Sequence, residues 1–166
     1  MALHKDVEAV LNKQLEKEFD AEAVYLGMSI YFEHELFKGF AAWFRKQAVE
    51  ERTHAMKIIG YMIDRNGKPV VPPVAAPKVS FASTAEAFNA ALAHERANTA
   101  GIWDCLATAQ KVVDPATAEM LQWFVKEQVE EEQWAEEYAQ MVERIHTSIG
   151  GMYQFDHRVG KAAQGE

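Results

Sequence analysis

The sequence predicts an all-α protein: a four-helix bundle with one long crossover between helices two and three, and a short fifth helix at the C-terminal end. Three observations lead there. Four long stretches repeat apolar residues at steps of three, four and seven; a proline-rich interval parts them into two pairs; and each stretch sets a carboxylate in the middle of its apolar seam.

The first helix is expected over about residues 4–34, where Leu11, Leu15, Glu18, Tyr25, Met28 and Phe32 share a face. The second is expected over about 38–65, with Phe40, Phe44, Gln47, Glu51, His54, Ile58 and Tyr61 in register and Gly39 near the short turn before it. So tight a connection makes the two antiparallel neighbours. From Asn66 to Phe81, Gly67, Pro69, Pro72, Pro73 and Pro77 forbid continuous helix. Extended, that stretch reaches roughly 50 Å, more than the roughly 42 Å of the helix before it. It can cross the bundle and set helices two and three parallel.

Ser83 with Glu86 has the form of a capping box opening the third helix, whose stripe is Phe88, Leu92, Glu95, Thr99, Ile102, Leu106, Ala109 and Val113. Asp114-Pro115 offers an N-cap and a first-turn proline to the fourth. There Leu121, Phe124, Gln128, Glu131, Ala135, Tyr138, Val142 and Ile145 follow a near-heptad rhythm. Gly150-Gly151 reads as its stop, and about 152–162 as a tail helix better suited to packing on another subunit than to adding core. The expectation is one domain, 1–166, with the bundle over about 4–148.

At 166 residues and 49% hydrophobic, the chain has enough apolar surface for a substantial core. No apolar run approaches the roughly 18 residues of a membrane span, so a soluble protein with no membrane partner is expected. Met1 to Glu8 is polar and lacks the apolar stretch of a secretory signal, which points to a cytoplasmic address. Cys105 is the only cysteine, excluding an intrachain disulfide and any cysteine-rich zinc or iron–sulfur site. A formal charge of −8 argues against nucleic acid as a partner.

The seam carboxylates carry the chemistry. A lone buried carboxylate is costly unless neutralised, paired or metal-bound, and Glu18, Glu51, Glu95 and Glu131 are four such groups. Glu51-x-x-His54 places a carboxylate and an imidazole one turn apart on one face. Oxygen with imidazole suits Fe, Mn or Zn. Four glutamates balance two divalent cations when His54 is neutral, so a dinuclear site is expected, with Glu51 bridging. Tyr25, on the seam of Glu18, is close enough to donate a hydrogen bond or an electron, or is a core tyrosine. Gln128, one turn before Glu131, orients a ligand or water, or is a structural amide. Glu50, Glu127 and Glu130 lie beside the seam and either hold a third, weaker metal or form solvated helix surface. The tryptophans read as packing or interface residues, and His4, His34, His94, His146 and His157 as surface or interface histidines.

These residues resemble the non-haem ferritins of prokaryotes over essentially the whole chain. The resemblance rests on Glu18 followed by Tyr25, Tyr31-Phe32-Glu33, Gly39-Phe40-Ala41, Glu50-Glu51-x-x-His54-Ala55-Met56-Lys57, the proline-rich crossover, His94-Glu95, Glu127-Gln128-x-Glu130-Glu131 and the tail helix. It implies a ferritin-like bundle and a ferroxidase that oxidises Fe(II) with dioxygen or peroxide. It also implies storage of ferric oxide in a hollow homo-oligomer of 24 subunits. By position, Glu18, Glu51 and His54 resemble the ligands of one iron, and Glu51, Glu95 and Glu131 those of the other. Gln128 stands near the second, Glu50, Glu127 and Glu130 match a third iron site, and Tyr25 matches an electron-supplying tyrosine. The fourth helix has Gln128-x-x-Glu131 in place of a second Glu-x-x-His, as in ferritin and unlike bacterioferritin. Arg52 stands where bacterioferritins carry a haem-ligating methionine, so no haem is expected.

Three rival readings remain at this level: a di-iron oxidase or peroxidase without storage, a miniferritin-like protein protecting nucleic acid, and a non-enzymatic helical interaction protein. The last lacks any seam lysine or arginine to pair the acids. The second is opposed by the acidic charge, and the first by the missing second Glu-x-x-His and rubredoxin-like cysteines.

Overall fold

A computed structural model describes residues 2–165. Its five helices are α1 (Lys5–His34), α2 (Lys38–Asp64), α3 (Thr84–Lys111), α4 (Pro115–Ile145) and α5 (Ile149–Gln164). There is no strand among the described residues, and none of their helices is long and apolar enough to cross a membrane.

The three turns that end α1, α2 and α3 share one device. Leu36, Asn66 and Val113 adopt left-handed φ values of 64°, 55° and 56°. The next residue in each case donates its N–H five residues back: Phe37 to Phe32 at 3.0 Å, Gly67 to Met62 at 2.7 Å, and Asp114 to Ala109 at 2.9 Å. These are Schellman closures. Leucine and valine pay a steric penalty in that region of about 1–2 kcal/mol each, which the backbone bonds offset. The turn between α1 and α2 is made by Leu36, with Gly39 close by in the first turn of α2 as expected, and one sequence expectation is corrected: Val113 leaves the third stripe to stand 83% exposed beyond the helix.

The crossover climbs α1. Val70 N–H bonds Asn12 Oδ1 at 2.8 Å near the start of α1, and Phe81 packs edge-on against Tyr31 near its end, 5.1 Å between ring centres. The chain thus leaves the foot of α2 and enters α3 at the level where α2 began, so α2 and α3 run parallel. Ser83 Oγ accepts from Glu86 N–H at 3.1 Å, while the Glu86 carboxylate reaches back to the N–H of Ala82, one residue before the cap. Asp114 accepts from Thr117 N–H at 3.2 Å, capping α4, and also binds the Arg65 guanidinium at 3.0 Å.

The tail helix departs most from expectation. It begins at Ile149 behind Ser148, whose Oγ accepts from Gly151 N–H at 3.1 Å, so Gly150 and Gly151 open α5 and do not stop α4. It also packs on its own bundle: Met152, Phe155 and Val159 are buried, with Phe155 5.4 Å from the rings of both Phe40 and Tyr138. Asp156 Oδ1 accepts from Phe40 N–H at 2.7 Å, capping an α2 that has no side-chain cap of its own. Gly160 Cα lies so near Gly39 that a Cβ on Gly160 would stand 2.9 Å from the Gly39 Cα.

The interior falls into two apolar clusters. One, at the α5 end, is largely aromatic and includes Phe32, Phe40, Phe44, Phe88, Tyr138 and Phe155. The other is largely aliphatic and includes Leu11, Leu15, Ile58, Met62, Ile102 and Leu121. Between them lies a belt of polar side chains.

Candidate metal centre

The belt is what the four interrupted seams make when they meet. Glu18 from α1, Glu51 and His54 from α2, Glu95 from α3 and Glu131 from α4 are 0%, 1%, 3%, 0% and 6% exposed. Each is buried because its helical neighbours one turn away on both sides are core residues.

Glu18, Glu51 and His54 bring one ligand atom each to within 4.8 Å of one another. His54 Nδ1 is 3.3 Å from Glu51 Oε2 and 3.7 Å from Glu18 Oε2. Burial pushes the Glu18 carboxyl up, but bonds with His54, Glu51 and Gln14 outweigh it and hold Glu18 below the ordinary carboxylate value. Glu51 moves the other way: burial raises it well above the usual range and the Glu18 charge adds to that, against His54. Burial alone would lower His54, yet its bonds to the two carboxylates lift it to about 10. Within the trio, burial and the Glu18 charge favour a proton on Glu51, while the bonds from His54 favour the anion of Glu18.

The other half is held by neutral donors. Tyr25 donates its hydroxyl to Glu95 Oε1, and Gln128 Nε2 lies 3.3 Å from Glu95 Oε2 and 3.2 Å from Thr99 Oγ1. Glu131 Oε2 accepts from Gln47 Nε2 at 3.0 Å and from Trp134 Nε1 at 2.5 Å. Burial raises Glu95 well above the ordinary range, with the Glu131 charge adding to it. Burial also takes Glu131 to about 7, helped by the charges of Glu50 and Glu127 and opposed by Trp134. The rings of Trp123 and Phe124 stand 5.5 and 5.9 Å from His54, and Tyr25 lies 5.8 Å from Phe44.

Glu50, Glu127 and Glu130 are not gathered into one donor group among the described residues. Glu127, half-buried, instead converges with His54 and Glu131. Glu50 reaches Lys46 at 3.5 Å, and Glu130 is exposed. His94 is not a surface histidine: it is half-buried, edge-on to Tyr25 at 5.8 Å, with a buried Nε2 that has no hydrogen-bond partner. Burial pushes the Cys105 thiol up to about 12, leaving it an inert core group.

Sequence reasoning gave Gln14, Gln47, Asn98 and Trp134 no part in the centre. A signal for three of them was present. Each seam carboxylate has a primary amide one helical turn away: Gln14 before Glu18, Gln47 before Glu51, Asn98 after Glu95 and Gln128 before Glu131. An amide on a buried seam needs a partner of its own; Gln14 finds it one turn off in Glu18, whereas Gln47 reaches Glu131, Asn98 reaches Glu18 and Gln128 reaches Glu95 across the bundle. Trp134 has no comparable signature, since an indole on a helix reads first as packing.

A family model of the ferritin-like domain matches residues 8–145. The chain is 36% identical to a bacterial non-heme ferritin of Staphylococcus epidermidis over 154 residues, 93% of each chain. It is 35% identical to one of Staphylococcus aureus over 158 residues, 95% of each. Among solved structures it is similar to an open pore ferritin from the hyperthermophilic archaeon Archaeoglobus fulgidus, at a TM-score of 0.93 and 31% identity, covering 96% of this chain and 98% of that one. An engineered closed form of that ferritin gives 0.92 and 31%, covering 96% and 97%.

Proposed function

The chain belongs to the ferritin family, and from that membership we propose that it takes up Fe(II), oxidises it with dioxygen at a two-metal centre inside each bundle, and stores the ferric product as an oxide within a shell of 24 like subunits. The observation that carries the reading is the belt: four buried carboxylates and one imidazole, one or two from each helix of the bundle, with no lysine or arginine bonded to any of them among the described residues.

In this reading Fe(II) is the substrate. Glu18, Glu51 and His54 hold one ion, and Glu51, Glu95 and Glu131 the other. Glu51 lies against Glu18 and His54 at the first ion, and its sharing with the second is what the resemblance implies. The protein's work is exchange of protons for cations. His54 gives up a proton when a metal takes its lone pair, and Glu51, Glu95 and Glu131 give up theirs as they become ligands. With two metals bound, the four carboxylate charges are balanced without further counter-ions.

Oxidation of the two ions releases two electrons, and dioxygen with two protons accepts them to give hydrogen peroxide. The protein contributes placement and a low-dielectric pocket walled by Phe124, Trp123, Phe44 and Trp134. Tyr25 is set to supply a further electron, since its hydroxyl proton already points at Glu95 Oε1 and has somewhere to go. Glu127, beside His54 and Glu131, offers a further stop for iron on its way out.

The test is anaerobic Fe(II) titration of the metal-free protein, followed by air. Binding that saturates near about two irons per subunit, as four carboxylates allow, then fast oxidation and slower uptake of many more, is the expected result. No stoichiometric binding sinks the reading.

A further inference from the structure

Gln14 is 1% exposed and lies one turn before Glu18 on α1. Its Nε2 donates to Glu18 Oε1 at 2.7 Å and to Asn98 Oδ1 on α3, which uses both amide hydrogens. Asn98, also 1% exposed, lies with its Nδ2 3.4 Å from Glu18 Oε2. That second oxygen is the one facing His54 Nδ1, 3.7 Å away. The two oxygens of Glu18 are therefore not equivalent. Oε1 is held from behind by Gln14, and Oε2 is turned toward His54. Without the amide, rotation about the last side-chain bond would interchange them.

The seat of Gln14 depends on an absence. Its Oε1 is fully buried with no hydrogen-bond partner, and it occupies the space where residue 101 would have a side chain: a Cβ on Gly101 would fall on Gln14 Oε1, with Lys17 Nζ close by. Glycine in the middle of a helix is a poor choice for the helix itself, and Gly101 sits well inside α3.

We propose that Gln14, seated by Gly101 and tied across the bundle to Asn98, is a positioning residue that presents Glu18 through one oxygen and thereby sets the affinity of the Glu18–Glu51–His54 position. This rests on the metal-site reading above. The amide touches no metal in the proposal; it acts through Glu18.

The experiment is anaerobic titration of the metal-free wild type, Gln14→Leu and Gly101→Ala with Co(II). Calorimetry gives the affinity of each step, the visible absorption bands report coordination, and a thermal melt is recorded in parallel. In Gln14→Leu the step assigned to the Glu18 position is expected to weaken by about tenfold to a hundredfold, with altered bands, while the other step holds. Gly101→Ala is the sharper arm. Alanine is the better helix former, which offsets part of the cost of shifting the Gln14 amide, so the variant should stay folded while the same step weakens in the same direction. A purely structural role would leave Co(II) binding by Gly101→Ala unchanged.

Wild-type affinity and bands in both variants overturn the positioning role and leave the metal site standing. A wild type that binds no Co(II) overturns the metal-site reading and this inference with it. Should Gln14→Leu fail to fold, Gly101→Ala decides alone.

Discussion

The half of the centre built from α1 and α2 and the half built from α3 and α4 solve the same problem in opposite ways. Both must keep carboxylates in a dry interior when no cation is present. The first half carries its own base: His54, lifted to about 10, stands beside Glu18, held below the ordinary carboxylate range, and Glu51, raised above it, so an internal ion pair is favoured. The second half has no base. Glu95 and Glu131 are pushed upward by burial, which favours their protonated forms, and are steadied by Tyr25, Gln128, Gln47 and Trp134. Without a cation, the first half is thus favoured as an ion pair and the second as uncharged acids; under the proposed function, metal would displace the protons of the second.

The comparison can be broken most completely at the residue common to both halves. Glu51→Ala should cost Fe(II) oxidation about two orders of magnitude or more, beyond the usual loss for a residue that merely supports a ligand. Its helical circular dichroism should stay that of the wild type. Stopped-flow absorbance of the ferric product measures this, and wild-type kinetics would remove Glu51 from the site.

A smaller effect isolates the first half. His54→Leu leaves Glu18 buried without its cation, which should destabilise the metal-free protein by about 3–5 kcal/mol near pH 8. Urea unfolding reads the loss, and it should shrink toward pH 4.5 as Glu18 takes up a proton. An unchanged midpoint would show that the first half does not depend on the pair.

The second half gives the smallest and most diagnostic effect. Glu131 sits at about 7 against an ordinary 4.5, so the stability linked to its proton is whole below 4.5 and lost as pH rises through 7. Glu51 and Glu95 are raised and act in the same direction, as does His54, whose contribution disappears only through about 10. Glu18, being lowered, acts oppositely, and its contribution is lost only in acid. Metal-free protein should therefore be less stable at pH 8.5 than at 5.5. Glu131→Gln should remove about 2 kcal/mol of that difference, the cost of 1.5 pH units at one proton. A pH-independent melting temperature in the wild type would contradict it.

The four seams and the crossover were legible because each depends on local periodicity and on prolines that no helix interior tolerates. Val113 misled because αL closure is a backbone arrangement, and Val113 could adopt it because Asp114 and Ala109 close the ring of hydrogen bonds. The docking of α5 was hidden because its signals are tertiary. Asp156 caps a helix 116 residues earlier in the chain, and no window of sequence contains both ends of that bond. The seam carboxylates announced themselves by interrupting hydrophobes, whereas Gln14 and Asn98 gave a weaker signal, since an uncharged amide finds a partner more readily than a carboxylate finds a counter-charge. Glu127 turning toward His54 while Glu50 and Glu130 stay outside is a matter of side-chain direction, which adjacency in sequence does not fix.

The contact between Gly39 and Gly160 carries a lesson for anyone who would alter this chain. An inserted residue turns everything beyond it by about 100° around a helix, so one extra residue between Ile149 and Gly160 would swing a side chain over Gly39 and pull Asp156 away from Phe40. The same insertion after Gly160 disturbs neither. Cargo fused beyond Gly160 is thus attached to a helix whose register is already locked, while the twelve residues from 149 to 160 have no room for a change of length.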